Sequence, residues 1–337
     1  MTAAGEIGTA EARAKVNLRL RVFARDETGF HGVETLLART SLSDTVSLFA
    51  GEPMRGRPRA PGREGAGPKG AGPEGARPKG TGPEGAGPEG GGRGVTLSVD
   101  GPLADGVPEG ADNLCRQAAV RFLERVFGGR AWPAVHIRLT KRIPMGSGLG
   151  GGSADAAATL RLLADRWPRL DEGELLALAG EIGSDVPFAL LGVPMALGWE
   201  RGRRLLPLRP PRPRPALLLC PGIHVATPEA YKWLGRTGAD AGGATVFPGA
   251  TRLAAWDSLE RVARNDLEAP VLARHPELSD LLERLRSREP AVAAMTGSGS
   301  ALFAVFRSAA ERARARQSLA VLERREGLRI LDAALPV

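Results

Sequence analysis

From Pro144 to Asp155 the chain reads P-M-G-S-G-L-G-G-G-S-A-D, with glycine at 146, 148, 150, 151 and 152, and opens directly into the Ala-rich run Ala154 to Ala164. Lacking Cβ atoms, such a backbone takes positive φ at low cost and approaches a ligand more closely than other residues allow. The helix that follows adds unpaired N–H groups and the positive end of its dipole, so the segment reads as a cradle for phosphate. It is not a Walker loop, because Ser153-Ala154 stands where that pattern needs Lys followed by Ser or Thr. Gly146, Gly148 and Gly151 satisfy G-x-G-x-x-G, but a dinucleotide fold runs its strand straight into the first glycine. Here the strand pattern Val135 to Leu139 ends earlier, and a second helical pattern, Asp171 to Ile182, follows where a parallel strand belongs. A ligand-free flexible turn is the weaker reading, since linkers seldom join a strand pattern to a strong helix former.

Working outward, Lys15 to Phe23 places Val16, Leu18, Leu20 and Val22 on one face and Asn17, Arg19 and Arg21 on the other, the alternation of a half-buried strand. Val33 to Thr40 suits a hairpin partner. Asp112 is expected to cap a helix carrying Leu114, Ala118 and Phe122. After the cradle, a helix runs to Trp167 and stops at Pro168, and a second lies near Glu174 to Glu181. Ala216 to Cys220 predicts a buried strand, several helices fill the stretch to Arg286, and Val292 to Met295 and Ala301 to Phe306 flank T-G-S-G-S. These patterns define an α+β protein of two domains, residues 1–205 holding the cradle and 206–337 forming a separate α/β layer.

Between about 51 and 93 lies an insertion that repeats in fives from Gly67: G-P-K-G-A, G-P-E-G-A, R-P-K-G-T, G-P-E-G-A, G-P-E-G-G. Period five excludes collagen, and the dearth of large apolar side chains predicts a segment that cannot bury a core. Thr45 to Ala50 and Val95 to Val99 flank it as strands, which suggests an overgrown hairpin loop.

The net charge of +8 raises the question of nucleic acid, and its distribution answers it. Residues 51–94 carry eight Lys/Arg against five Glu, and residues 201–215 carry six Arg and no acid, so these two stretches (+3 and +6) exceed the whole surplus. Neither interleaves aromatic residues with its charges as a stacking platform would, so nucleic acid is not expected as a partner. No apolar run approaches a membrane span, and the N-terminal residues lack the regions of a signal peptide, so a cytoplasmic protein is expected. Cys115 and Cys220 are isolated and read as small core residues, without metal or disulfide spacing.

Phosphoryl transfer also needs a group that neutralises charge and one that orients or deprotonates the acceptor hydroxyl. Asp185, in G-S-D-V-P, reads on its own as a turn or cap residue, and Lys15 on its own as a solvated lysine. Together they could form an acid/base pair, but separation in sequence does not show that they meet.

The set A-K-V-N-L (14–18), G-F-H (29–31), the cradle, G-S-D-V-P (183–187), P-G-I-H-V-A-T-P (221–228) and T-G-S-G-S (296–300) resembles the GHMP small-molecule kinases. The similarity covers nearly all of the chain except the insertion, and A-K-V-N-L with G-F-H and P-G-x-x-V-x-T-P points to members acting on an alcohol linked to cytidine diphosphate. The resemblance implies a two-domain kinase with a ribosomal-S5-like N-terminal domain and an α/β sandwich C-terminal domain. It further implies ATP with Mg2+, gripped by Pro144, Met145, Gly146, Ser147, Gly148, Leu149, Gly150, Gly151, Gly152, Ser153 and Ala154. It places the catalytic pair on Lys15 and Asp185, with Asp185 as base. Asn17 then lies beside the acceptor, His31 bonds the cytosine, and Phe30 and Tyr231 sandwich it; either aromatic residue equally suits plain core packing. Phe30 stands where the family often has Tyr. Ser300 would approach the phosphates, although T-G-S-G-S equally suits a tight hairpin turn. Arg201 to Arg204 departs from the family's more acidic stretch, and no role is carried over there. The rival within the family is a kinase of another alcohol, homoserine or mevalonate. Outside it stands a non-catalytic nucleotide or nucleic-acid binder.

Overall fold

The computed structural model describes residues 5–25, 31–51, 94–202, 204–235 and 249–337. Nearly all of the expected insertion, residues 52–93, and Phe30 lie outside the described residues. The first sheet is built on two long antiparallel strands, β1 (Gly5–Arg25) and β2 (His31–Ala50), which pair in register from Gly5↔Ala50 to Arg25↔His31. The expected pairing of Lys15 to Phe23 with Val33 to Thr40 is thus the inner part of a longer ribbon.

The expected hairpin across the insertion is not formed. β3 (Val95–Asp100) does not pair with β2; β4 (Val135–Thr140) lies between them, parallel to β3 and antiparallel to β2. The cause is the helix α1 (Leu114–Phe127), which links β3 to β4 as a crossover, a connection that produces parallel neighbours. The cap of α1 also differs from expectation by one residue: Asn113, not Asp112, accepts from the Cys115 N–H at 2.9 Å. Both are good caps, and the helix start at Leu114 selects between them.

After the cradle come α2 (Gly151–Arg166), α3 (Glu172–Ile182), capped by a box of Asp171 and Glu174, and the short α4 (Val186–Leu191). The chain then adds β5 (Met195–Trp199) beside the first half of β2 and β6 (Arg204–Pro207) beside β5. The division expected at 205/206 therefore cuts a strand of the first sheet. β7 (Arg214–Cys220) begins a second, wholly antiparallel sheet of order β11-β7-β10-β9, whose other strands come after α5 (Thr227–Leu234) and α6 (Trp256–Val262). Its other strands are β9 (Val292–Met295), β10 (Leu302–Val305) and β11 (Arg329–Leu335). A two-residue strand, β8 (Arg264–Asn265), returns to pair with β1 at Arg19 and Leu20. Helices α7 (Glu268–Leu272), α8 (Pro276–Arg286) and α9 (Ala309–Glu326) complete the second half.

Three cores follow. One lies between the first sheet and α1 to α3, around Leu48, Phe122, Ile137 and Leu160. A second joins the sheets, with Val16 and Leu18 of β1 against Leu218 and Phe303. The third packs the outer face of the second sheet on α8 and α9. Because the second half covers it, β1 is not half-exposed as its alternation suggests: Lys15, Asn17, Arg19 and Arg21 are all buried. Leu160 is fully buried in the first core, so Leu160→Ala should lower the free energy of unfolding by about 3 kcal/mol, read from urea denaturation.

Candidate active site

The cradle joins β4 to α2, and its glycines at 146, 148 and 150 all adopt positive φ, with Gly150 in the left-handed region as the cap of α2. Two of them sit where no side chain fits. A Cβ on Gly148 would lie 2.8 Å from the Thr296 carbonyl oxygen, and one on Gly150 would lie 2.9 Å from Cε of Lys15. The cradle is therefore wedged between β1 and the β9–β10 turn, Thr296 to Ser300. Two backbone bonds fasten it, Lys15 N–H to Leu149 O at 2.9 Å and Ala301 N–H to Ser147 O at 3.0 Å.

Along this segment the side chains divide. Leu149 and Ala154 are buried and offer only backbone to a ligand, Met145 is exposed, and Ser147 Oγ donates to Pro144 O at 2.8 Å. Cavities of about 240 and 280 Å³ flank Pro144 to Ser147. Val107, Pro108 and Asn113 line the first with Gly151 and Gly152, and Ile223 and His224 line the second.

Lys15 and Asp185, 170 positions apart in the chain, meet: Lys15 Nζ lies 3.1 Å from Asp185 Oδ2. Asp185 occupies the N-cap position of α4, yet its side chain makes no capping bond and is committed to the lysine instead. The lysine side chain is 8% exposed and the aspartate 32%, so the ammonium is buried and the carboxylate is partly open to solvent. Lys15 Nζ also donates to Asn17 Oδ1 at 2.9 Å, and Asn17 Nδ2 donates to Thr35 Oγ1 at 2.7 Å. The backbone N–H of Asn17 donates to Thr296 Oγ1 at 3.0 Å, tying β1 to the second half.

His31, at the start of β2, lies 5.8 Å from Tyr231 of α5, ring centre to ring centre. Its Nδ1 is 2.7 Å from the Phe23 carbonyl oxygen. A carbonyl only accepts, so Nδ1 carries the proton in this contact. Burial first, and the charge of Asp185 second, push the Tyr231 phenol up to about 12, keeping it neutral. Ser300 is buried and donates to the Ile223 carbonyl, so T-G-S-G-S is a hairpin turn held from below by its last serine.

Several residues that shape the site were not singled out from sequence. Thr35 and Thr296 hold Asn17. Asn265 of β8 donates from Nδ2 to the Met295 and Gly297 carbonyls at 2.9 and 2.8 Å and fixes the turn behind Lys15. Gly202, within the Arg-rich stretch, packs on the segment bearing Asp185, where a Cβ would collide with the Ser184 carbonyl oxygen. Lys141, Asp44 and Asp155 form a buried ionic cluster beneath the cradle. Of these, only Lys141, Asp44 and Asp155 carried a visible signal, a charge at the edge of an apolar segment.

Residues 113–193 match the family model for the GHMP kinases N terminal domain, and residues 250–320 match GHMP kinases C terminal. Fold and site thus define a GHMP-type small-molecule kinase, a class that uses ATP as phosphoryl donor. The chain is 36% identical over 315 residues to the 4-diphosphocytidyl-2-C-methyl-D-erythritol kinase of Anaeromyxobacter sp. (strain Fw109-5), covering 92% of this chain and 85% of that one. It is 35% identical to the same-named kinase of Solibacter usitatus (strain Ellin6076), covering 88% and 80%. A crystal structure of 4-(cytidine 5'-diphospho)-2C-methyl-D-erythritol kinase is similar with TM-score 0.69 and 33% identity over 97% of this chain and 99% of that one. The homoserine kinase of Cytophaga hutchinsonii shares the fold alone, with TM-score 0.63 at 16% identity over 99% of this chain and 96% of that one. The chain belongs to the 4-diphosphocytidyl-2-C-methyl-D-erythritol kinase family.

The crowding around Gly150 gives a direct test. Gly150→Ala sets a Cβ against the Lys15 stem at a residue with φ of +70°, so it should displace the ammonium and lower kinase turnover at least tenfold, by order of magnitude, in a steady-state assay with ATP.

Proposed function

We propose that this kinase transfers the γ-phosphate of ATP to the 2-hydroxyl of 4-(cytidine 5'-diphospho)-2-C-methyl-D-erythritol, a step in making isoprenoid precursors by the non-mevalonate route. The observation that carries the reading is the 3.1 Å pair of Lys15 and Asp185 beside a cradle whose Leu149 carbonyl is bonded to the Lys15 backbone. The same strand residue is thereby tied to the phosphate loop by its main chain and to the aspartate by its side chain.

In this reading the cradle's amides and the N-terminus of α2 hold the triphosphate. Asp185 accepts the proton of the attacking hydroxyl, and Lys15, paired with it, offsets charge that develops on the transferred phosphoryl group. Asn17, fixed by Thr35 and Thr296, holds Lys15 and borders the acceptor. At the other end of the substrate, His31 is assigned a hydrogen bond to the cytosine, beside Tyr231. Tyr231 offers its ring face to the base, and Phe30 is assigned the opposite face. Homoserine and mevalonate carry nothing for these groups to hold.

Magnesium enters as part of the MgATP substrate, carried on the β- and γ-phosphates. Among the described residues no cluster of three His, Cys, Asp or Glu side chains forms a cage, which suits an ion delivered by the nucleotide. No helix among them is long and apolar enough to cross a membrane, and we assign the enzyme to the cytoplasm.

With ATP and the CDP-linked alcohol as substrates, Asp185→Asn should cut kcat by about 10²- to 10⁴-fold while the affinity for ATP stays within about twofold. Equal turnover of homoserine or mevalonate by the unaltered enzyme, or full activity in Asp185→Asn, contradicts the assignment.

A further inference from the structure

Lys141 lies three residues before Pro144 and Asp155 directly follows Ala154, and a bond of 2.7 Å from Lys141 Nζ to Asp155 Oδ2 closes the cradle into a ring. The same ammonium lies 2.5 Å from Asp44 Oδ2, and Asp44 Oδ1 accepts the N–H groups of Arg142 and Ile143 at 2.5 and 2.8 Å. The chain entering the cradle, Lys141 to Ile143, is therefore pinned both to β2 through Asp44 and to α2 through Asp155. All three side chains are buried, Asp155 being 2% exposed.

The cluster is unbalanced. Two carboxylates share one ammonium, and the other charged or titratable neighbour, the Cys115 thiol on α1, is pushed up by burial and stays neutral. Asp44 has all its partners, whereas Asp155 Oδ1 accepts no hydrogen bond among the described residues. Asp155 and Lys141 both line the 240 Å³ cavity beside Gly151 and Gly152, where the cradle would receive a nucleotide. An ionised carboxylate there offers only lone pairs to the phosphate oxygens of a nucleotide, which also only accept. A protonated one offers a donor.

We propose that Asp155 is a positioning residue of the nucleotide site, which clasps the base of the cradle through Lys141 and takes up one proton from solvent on Oδ1 as the triphosphate binds. The proposal rests on the assignment of the cradle to ATP. Burial raises the Asp155 carboxyl to about 8, Lys141 pulling it down and Asp44 adding to the rise, so the free enzyme is poised between the two forms near that pH. Burial opposes the charge of Lys141, but Asp155 and Asp44 more than offset this and hold it above the ordinary lysine value. A polyanion raises the Asp155 value further. Affinity linked to this proton is therefore fully present below about pH 8 and lost as pH rises through it.

Binding of Mg·ATPγS, measured by calorimetry in buffers of differing ionisation heat, tests this. At pH 8 the unaltered enzyme should take up about half a proton more than Asp155→Asn, and its Kd should rise about tenfold from pH 7 to pH 9 against less than about twofold in the variant. Asp44→Asn leaves a balanced Lys141–Asp155 pair and should also lose the uptake, which keeps the test decisive if Asp155→Asn does not fold. Equal proton counts in unaltered enzyme and variants, or no uptake by the unaltered enzyme, overturn the proposal and leave the kinase assignment standing. No binding of the nucleotide at any pH overturns the assignment of the cradle as well.

Discussion

Three backbone segments and one lysine stem occupy a volume that ordinary side chains would fill, and the site exists because glycine vacates it. Gly148 lets the cradle touch the carbonyls of the β9–β10 turn, Gly150 lets Lys15 lie across the cap of α2, and Gly297 brings that turn within reach of Lys15 and Asn17. A Cβ at the first two positions would approach backbone or stem at 3.0 Å or less, and all three have positive φ, so no modest relaxation restores the packing. What an anion-binding loop needs for its ligand, bare backbone, is also what it needs to dock on the strand that bears the cation.

This double use accounts for which parts could be read from the sequence. The cradle and its helix were legible, because five glycines directly before an Ala-rich run put bare backbone at a helix start, where anions bind. The inner part of the β1–β2 ribbon was legible, Lys15 to Phe23 from its alternation. The partner of β3 was not: a strand on either side of a long insertion looks like a hairpin, and only the crossover through α1 shows that β4 takes the place beside β2. The burial of Lys15, Asn17, Arg19 and Arg21 was equally hidden, since alternation reports two chemically different faces and not what covers each of them.

The site residues divide along the same line. Lys15 and Asp185 came from resemblance, not from spacing, and the fold joins them by placing α4 over the start of the polar row of β1. Asn265, Thr296 and Gly202 act through main-chain contacts with segments far away in the chain, and a single sequence gives such contacts no pattern. Asp44, Lys141 and Asp155 are different in kind. Each is a charge at the edge of an apolar segment, and a buried charge has to find a partner or lose its ionisation. Their presence announced a cluster; the pairing needed coordinates.

The construction of the site also limits how it can move. Its parts come from both halves: Lys15, Asn17, His31 and Asp185 from the first, Tyr231, Thr296 and Asn265 from the second. Separate domains usually shift against one another unless a large apolar interface holds them. Here Val16 and Leu18 on β1 pack with Leu218 and Phe303 of the second sheet in one continuous core, and β8 adds backbone pairing across the junction. Opening the halves would expose that core and break the Asn17–Thr296 tie along with it. Substrate entry and product release therefore fall to the loops at the rim of the cleft and not to the body of the two sheets. The distance between Lys15 and Asp185, set by elements that the shared core locks, then stays constant while the rim moves.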